Sequence, residues 1–181
     1  FAKTTINVDF YETQNRFSTL LPEHGYILDF GCGSGRDTKY FLEQGFYVDA
    51  TDGSEEMCHI ASNYTGIQVR RLLFEELDEN KKYDGIWACS SILHLPKNEL
   101  KAVFMKMFKA LKEDGIIYTS FKYGDFEGER NGRYFTDFTE KTFEEFVGEI
   151  DNLQLKEEWI TGDVRPGRGE EKWLNVILQK N

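Results

Sequence analysis

Three glycines at every second position, Gly31, Gly33 and Gly35, constrain the fold of this chain more than any other feature. The residues before them form an apolar run typical of a strand, and the apolar residues after them recur three and four positions apart, as on one face of a helix. A strand, a glycine turn and a helix form the first half of a nucleotide-binding βαβ unit. Glycine is needed there because a side chain would hold the backbone away from a ligand, and because tight turns require positive φ. The start of the helix then offers N–H groups to an anionic part of the ligand.

The segment after this helix completes the unit. Gly45 is placed to end the helix, and residues 46–51 predict a second strand that ends in Asp52. An acidic residue about 20 positions after the glycines is where such units bind ribose hydroxyls. An ordinary strand-to-helix turn is the alternative, but the second strand and its acid favour a ligand-binding loop.

The glycine spacing distinguishes two cofactors. A dinucleotide fingerprint has its third glycine three residues after the second, where this chain has Arg36. Asp29 lies two residues before Gly31, and the resulting pattern Asp-x-Gly-x-Gly-x-Gly resembles motif I of the class I S-adenosylmethionine-dependent methyltransferases. The resemblance extends over nearly the whole chain and is greatest to the small bacterial small-molecule enzymes, which include tellurite-resistance-like proteins. The alternatives are an NAD(P)-dependent oxidoreductase and a non-catalytic S-adenosylmethionine-binding protein.

This resemblance implies how the chain binds S-adenosylmethionine and its product, S-adenosylhomocysteine. It implies that the glycine loop contacts the methionine half, that Asp52 holds the ribose, and that the residues after it pack against adenine. Plain core packing is the alternative for Met57. The cofactor-binding residues implied in this way are Asp29, Gly31, Cys32, Gly33, Gly35, Asp52, Gly53, Ser54, Met57, Phe74, Glu75 and Cys89.

The rest of the chain alternates strand and helix patterns, which predicts a parallel sheet with right-handed crossovers. Two final strands have no helix between them and are therefore expected to be antiparallel. The expected fold is α/β, a Rossmann-like doubly wound sheet of seven strands, five parallel plus a C-terminal antiparallel pair, with helices on both faces. The strands are predicted at residues 26–30, 46–51, 67–70, 83–89, 116–121, 153–160 and 173–178.

We expect one methyltransferase domain over residues 1–181, with a helical lead at 1–22 and active-site loops at 122–138 and 161–172. The chain starts at Phe1 without a methionine or a signal-peptide pattern, which predicts a piece of a longer protein. The pattern does not predict an oligomeric state.

Composition restricts the classes of partner. The net charge of −10 argues against binding to nucleic acid or to an anionic membrane. The sequence contains no run of 18 apolar residues, so no membrane span is predicted. The three cysteines form no C-x-x-C pair, so a reducing cytoplasm is expected, and the three histidines lack metal-ligand spacing, so no bound metal is expected. A small-molecule substrate fits these properties.

His94 is the candidate catalytic base. It follows the fourth strand, at the end of the sheet where ligands bind, and the ordinary pKa of histidine suits proton transfer. Methyl transfer from a sulfonium is largely an orientation effect, and a base is needed only when the acceptor carries a proton. A structural histidine that closes the strand-to-helix loop is the alternative.

Arginines in the two long loops are the candidate acceptor site. Guanidinium groups match carboxylate and phosphate in bidentate geometry, so arginines in an acidic chain suggest an acceptor with an anionic group. The alternative for the second loop is a solvated turn, in which the arginines pair with neighbouring carboxylates. The predicted substrate-binding residues are Tyr123, Arg130, Arg133, Arg165 and Arg168.

Overall fold

The computed structural model describes residues 10–181, so the first part of the predicted helical lead, residues 1–9, lies outside the described residues. The helices are α1 Tyr11–Ser18, α2 Arg36–Glu43, α3 Glu55–Thr65, α4 Lys97–Ala110 and α5 Glu140–Val147, with short 3-10 turns at Phe74–Glu76 and Ile92–His94. The strands are β1 Tyr26–Phe30, β2 Tyr47–Asp52, β3 Arg70–Arg71, β4 Tyr83–Ala88, β5 Leu111–Lys122, β6 Glu127–Arg130, β7 Arg133–Thr136, β8 Leu153–Gly162 and β9 Lys172–Lys180.

Seven strands form a mixed sheet in the order β3-β2-β1-β4-β5-β9-β8. Neighbours from β3 to β5 pair in parallel, whereas β9 pairs antiparallel with both β5 and β8. The predicted Rossmann-like sheet of seven strands is confirmed. The count of parallel strands differs slightly from the predicted five. Because β9 is antiparallel to β5 and β8 is antiparallel to β9, β8 runs in the same direction as β5.

Three predicted segments differ from the structure. The fifth strand, expected at 116–121, begins at Leu111, directly after α4. The third strand, expected at 67–70, is only Arg70–Arg71, because the N–H of Val69 donates to Ser62 Oγ of α3 at 2.9 Å rather than to β2. The loop expected at 122–138 contains the antiparallel hairpin β6–β7. Its turn is Asn131-Gly132, with φ of +54° and +78°, which is the two-residue turn that Asn-Gly favours.

The core lies on both faces of the sheet, because successive residues of a strand point to opposite sides. Leu28 packs in the cluster that holds Phe104 of α4, whereas its neighbour Ile27 packs in the cluster that holds Phe17 of α1 and Phe41 of α2. Helices therefore cover both faces, and the carboxyl ends of the parallel strands are left open to a ligand. Within residues 10–181, no helix has the length and apolar content needed to cross a bilayer.

Candidate functional site

A cavity of about 900 Å³ lies at the carboxyl ends of the parallel strands. It is lined by residues that follow β1, β2 and β4, by the end of β5, by the β6–β7 hairpin and by the segment around the β8–β9 connection. Its volume is close to the upper end of the range for small-molecule sites. The cavity therefore has room for two ligands side by side.

The glycine loop after β1 is fixed to the neighbouring strand. The N–H of Gly31 donates to the carbonyl of Thr51 at 2.9 Å, and a Cβ on Gly31 would lie 2.6 Å from Cβ of Ser91. Gly33, with φ of +56°, differs, since of the described atoms a Cβ there would meet only Met57 Cε, at 3.8 Å. Gly31 is thus required for packing, whereas Gly33 borders open space where a ligand can approach the backbone.

Asp52 connects this loop to α3. Its Oδ2 accepts a hydrogen bond from the N–H of Gly33 and its Oδ1 accepts one from the N–H of Ser54, both at 2.9 Å. Ser54 in turn accepts from the N–H of Met57 and caps α3. Each carboxylate oxygen of Asp52 keeps a second lone pair for a ligand hydroxyl.

Asp49, the other acid of β2, does not compete for this role. Its carboxylate accepts hydrogen bonds from the hydroxyls of Tyr26 and Tyr83, at 2.8 and 2.7 Å, and lies 3.3 Å from Lys82 Nζ. It is outside the cavity lining.

Other predicted cofactor residues lie behind the cavity surface. Asp29 is buried and accepts a hydrogen bond from Thr38 Oγ1 at 2.6 Å; burial, together with neighbouring Asp37, raises the pKa of its carboxyl to about 8. A Cβ on Gly35 would lie 2.8 Å from Thr65 Cγ2, so this glycine allows α2 to pack on α3. Neither of them, nor Ser54 or Glu75, lines the cavity, whereas the other predicted cofactor residues do: Gly31, Cys32, Gly33, Asp52, Gly53, Met57, Phe74 and Cys89.

A buried ion pair at the start of α2 was not predicted from the sequence. Arg36 Nε and Nη2 donate to the carboxylate of Asp37, at 2.9 and 3.0 Å, and both residues line the cavity. Asp37 also accepts from Gln14 Nε2 at 2.6 Å and from Trp87 Nε1 at 2.9 Å, while Phe10 lies over the Arg36 guanidinium at 4.6 Å. The partners come from α1 and β4, which is why no local pattern indicated this cluster.

His94 lines the cavity with a defined tautomer. Its Nδ1 is 2.9 Å from the carbonyl oxygen of Tyr134, which can only accept, so Nδ1 carries the proton and Nε2 carries the lone pair. Burial lowers the pKa of His94, and the charges of Arg133 and Lys122 lower it further, although the hydrogen bond to Tyr134 acts the other way. The ring is therefore kept neutral with an unprotonated nitrogen.

All four predicted arginines line the cavity, but three are paired with carboxylates. Arg165 donates to Asp163 at 2.6 Å, Arg168 to Glu171 at 2.6 Å, and Arg130 to both oxygens of Asp137 at 2.9 Å. Within residues 10–181, Arg133 makes no ion pair with a carboxylate. Tyr123 lies outside the lining, and its hydroxyl donates to Glu140.

The two cysteines of the cavity are poor nucleophiles. Burial raises the pKa of the Cys89 thiol to about 12 and that of the Cys32 thiol further, so both cavity thiols stay protonated at neutral pH. In the described part of the chain, no group of three or more His, Cys, Asp or Glu side chains could hold a metal ion.

Comparison with known proteins identifies the family of this chain. Residues 27–115 match the family model described as a methyltransferase domain. The chain is 25% identical to the 1,6-didemethyltoxoflavin-N1-methyltransferase of Burkholderia thailandensis, whose crystal structure contains 1,6-didemethyltoxoflavin and S-adenosylhomocysteine; the TM-score is 0.78, over 94% of this chain and 77% of that one. The chain belongs to the class I S-adenosylmethionine-dependent methyltransferases.

This methyltransferase is also 34% identical over 116 residues to the Bacillus subtilis protein YqeM, which is named as a methyltransferase. The match covers 58% of this chain and 47% of YqeM, so the chain spans about half the length of that relative. A TehB-like S-adenosylmethionine-dependent methyltransferase of Corynebacterium glutamicum shares the fold, with a TM-score of 0.71 and 20% identity over 98% of this chain and 91% of that one.

The residues present fit S-adenosylmethionine, the cofactor of this family. The open position at Gly33 lets the backbone contact the ligand, and Asp52 offers two lone pairs at the end of β2 for ribose hydroxyls.

Proposed function

We propose that this methyltransferase transfers a methyl group to a small molecule that carries an anionic group. The observation that supports it most is one continuous cavity, which joins the glycine loop and Asp52 to a wall containing His94 and the loop arginines. S-adenosylmethionine supplies, when bound, an activated methyl group that an acceptor lone pair can attack. The cytoplasm is the proposed compartment, since Cys32, Cys58 and Cys89 are free thiols.

The charges of the cavity lining support one end for the methyl donor and another end for the methyl acceptor. The donor end contains Arg36, Asp37 and Asp52, a net charge of −1, which suits a cofactor with a positive sulfonium beside a zwitterionic amino acid. Phe74 and Met57 border the same end and can pack against adenine. Because the Asp37 carboxylate already orients Arg36, the guanidinium is suited to hold the carboxylate of the methionine half.

Asp52→Ala is expected to lower the affinity for S-adenosylhomocysteine at least about tenfold, because two hydrogen bonds to a charged acceptor are lost, each worth roughly 1.5–3 kcal/mol. Isothermal titration measures the affinity. Asp49→Asn is the matched control on the same strand and should change stability only, since Asp49 lies outside the cavity. Unchanged binding in Asp52→Ala would refute the assignment.

Arg36→Gln is expected to weaken S-adenosylhomocysteine about tenfold while leaving 5′-methylthioadenosine unaffected, because the second ligand lacks the amino acid group. Titration of both ligands into the wild type and into Arg36→Gln gives the interaction energy between Arg36 and the amino acid group of the ligand. If Arg36 serves only to hold Asp37, both ligands weaken by the same factor, which would contradict a role in cofactor recognition.

The two alternative functions are separated by binding and turnover. Titration with S-adenosylmethionine and with NAD distinguishes a methyltransferase from an NAD(P)-dependent oxidoreductase. Turnover against a panel of metabolites distinguishes an enzyme from a protein that only binds the cofactor. A protein that binds S-adenosylmethionine but methylates nothing in the panel would favour the non-catalytic alternative.

A further inference from the structure

Two aromatic rings with fixed orientations face the acceptor end of the cavity. We define the acceptor pocket as His94, Lys122, Arg133, Phe135 and Trp173, all of which line the cavity. Phe135 is held by two contacts, since the Arg130 guanidinium lies 4.5 Å from its ring centroid and the centroid of the His94 ring lies 4.7 Å from it. Trp173 is held through its Nε1–H, which donates to Asp163 Oδ2 at 3.0 Å.

Lys122 connects the two rings and brings charge to them. Its Nζ lies 5.3 Å from the centroid of Phe135 and 5.8 Å from that of Trp173, so both rings border the same space. It also pairs with Glu171 at 3.1 Å. Rings that are fixed before a ligand arrives lose little freedom on binding, and their flat faces favour a flat ligand.

This end of the cavity is cationic even after its internal ion pairs are counted. Five cationic side chains line it, and three carboxylates pair with four of them, which leaves a net charge of +2 in a chain of −10. The cations are Lys122, Arg130, Arg133, Arg165 and Arg168, and the carboxylates are Asp137, Asp163 and Glu171.

The base beside the rings indicates which proton is removed. Nε2 of His94 has its lone pair available, because the hydrogen bond to Tyr134 holds the ring proton on Nδ1, and a neutral imidazole is a weak base. A weak base works best on a relatively acidic proton, such as that of a phenol or a ring N–H, rather than on that of an alkyl alcohol. Because the centroids of the His94 and Phe135 rings are 4.7 Å apart, an acceptor in contact with Phe135 brings its ring substituents near this nitrogen.

From these observations we infer that the acceptor is a flat aromatic or heteroaromatic molecule with an anionic group and an acidic O–H or N–H, bound against Phe135 and Trp173. This rests on the proposed function and names its substrate class. The acceptor's oxygen or nitrogen forms the bond to the methyl carbon as the carbon–sulfur bond breaks. The electron pair of the carbon–sulfur bond stays on sulfur in S-adenosylhomocysteine, and the acceptor proton goes to His94 Nε2. Arg133 and Lys122 hold the anionic group.

The test compares two ring types in protein saturated with S-adenosylhomocysteine. The probes are 4-hydroxybenzoate and trans-4-hydroxycyclohexanecarboxylate, which carry the same two substituents on a flat and on a puckered ring. Ligand-observed NMR titration should show the aromatic probe binding about five- to tenfold tighter. Phe135→Leu and Trp173→Leu should each reduce this preference, and Arg133→Gln should weaken both probes alike.

Phe126→Leu is the matched control, since Phe126 packs on the Arg130 guanidinium at 4.9 Å but lies outside the cavity lining. It should keep the aromatic preference. Equal affinity for the two probes, or the same loss in Phe126→Leu as in Phe135→Leu, would overturn the inference. Binding of S-adenosylhomocysteine is measured first: its absence refutes the proposed function, whereas its presence without an aromatic preference refutes the acceptor class alone.

Discussion

Gly33→Val is expected to abolish measurable binding of S-adenosylhomocysteine while the protein stays folded. Among the described atoms, a side chain at Gly33 would meet only Met57 Cε, at 3.8 Å, so the valine would occupy the cavity rather than the core. The backbone strain of a side chain at φ of +56° costs roughly 1–2 kcal/mol, which lowers stability without unfolding a typical domain. Isothermal titration measures binding, and thermal unfolding followed by circular dichroism measures the fold.

Gly66→Val controls for the strain. Gly66 has φ of +82°, ends α3 and does not line the cavity, and a Cβ added to it would have no atom of residues 10–181 within 4 Å beyond its own chain neighbours. It should lose similar stability and bind S-adenosylhomocysteine normally. Normal binding by Gly33→Val would mean that the loop is only a turn, and the cofactor assignment would fail.

His94→Ala is expected to lower turnover by about 10²–10⁴ and to preserve the affinity for S-adenosylhomocysteine, provided that the acceptor must lose a proton. The base has to be unprotonated, so activity falls as the pH drops through the pKa of His94. Because burial lowers that pKa, the acid limb of the wild-type profile should lie below the ordinary histidine value of about 6.5 and be absent in the variant.

His94→Asn separates catalysis from structure, because its amide nitrogen takes the place of Nδ1 and can still donate to the carbonyl of Tyr134. It should unfold at the wild-type temperature but turn over as slowly as His94→Ala. Full turnover in His94→Asn would show that the histidine only closes the loop after β4.

The parts of the site predicted from sequence are those encoded by a few adjacent residues. The glycine loop and Asp52 follow from local turn chemistry, and the structure brings them together through the 2.9 Å bond from the Gly33 N–H to Asp52. The β6–β7 hairpin also has a local signal, Asn131-Gly132, but the polar residues around it favour a loop.

Other parts depend on contacts between distant segments. The partners of Asp37 lie 23 positions before it, at Gln14, and 50 positions after it, at Trp87, so periodicity could not show that its carboxylate is buried. The ion pairs of the arginine loop, by contrast, are local. Arg165 and Arg168 line the cavity, and each also pairs within three residues, with Asp163 and Glu171.

The bond between Gln14 and Asp37 makes the N-terminal helix part of the binding equilibrium. Helix α1 is held by the same carboxylate that orients Arg36, which is proposed to contact the cofactor, so opening of α1 and release of the cofactor are thermodynamically linked. A ligand at 100 times its dissociation constant would suppress such an opening by about 2.7 kcal/mol, if the open form does not bind. The rate at which the amide hydrogens of α1 exchange would then depend on the cellular concentration of the cofactor relative to its dissociation constant.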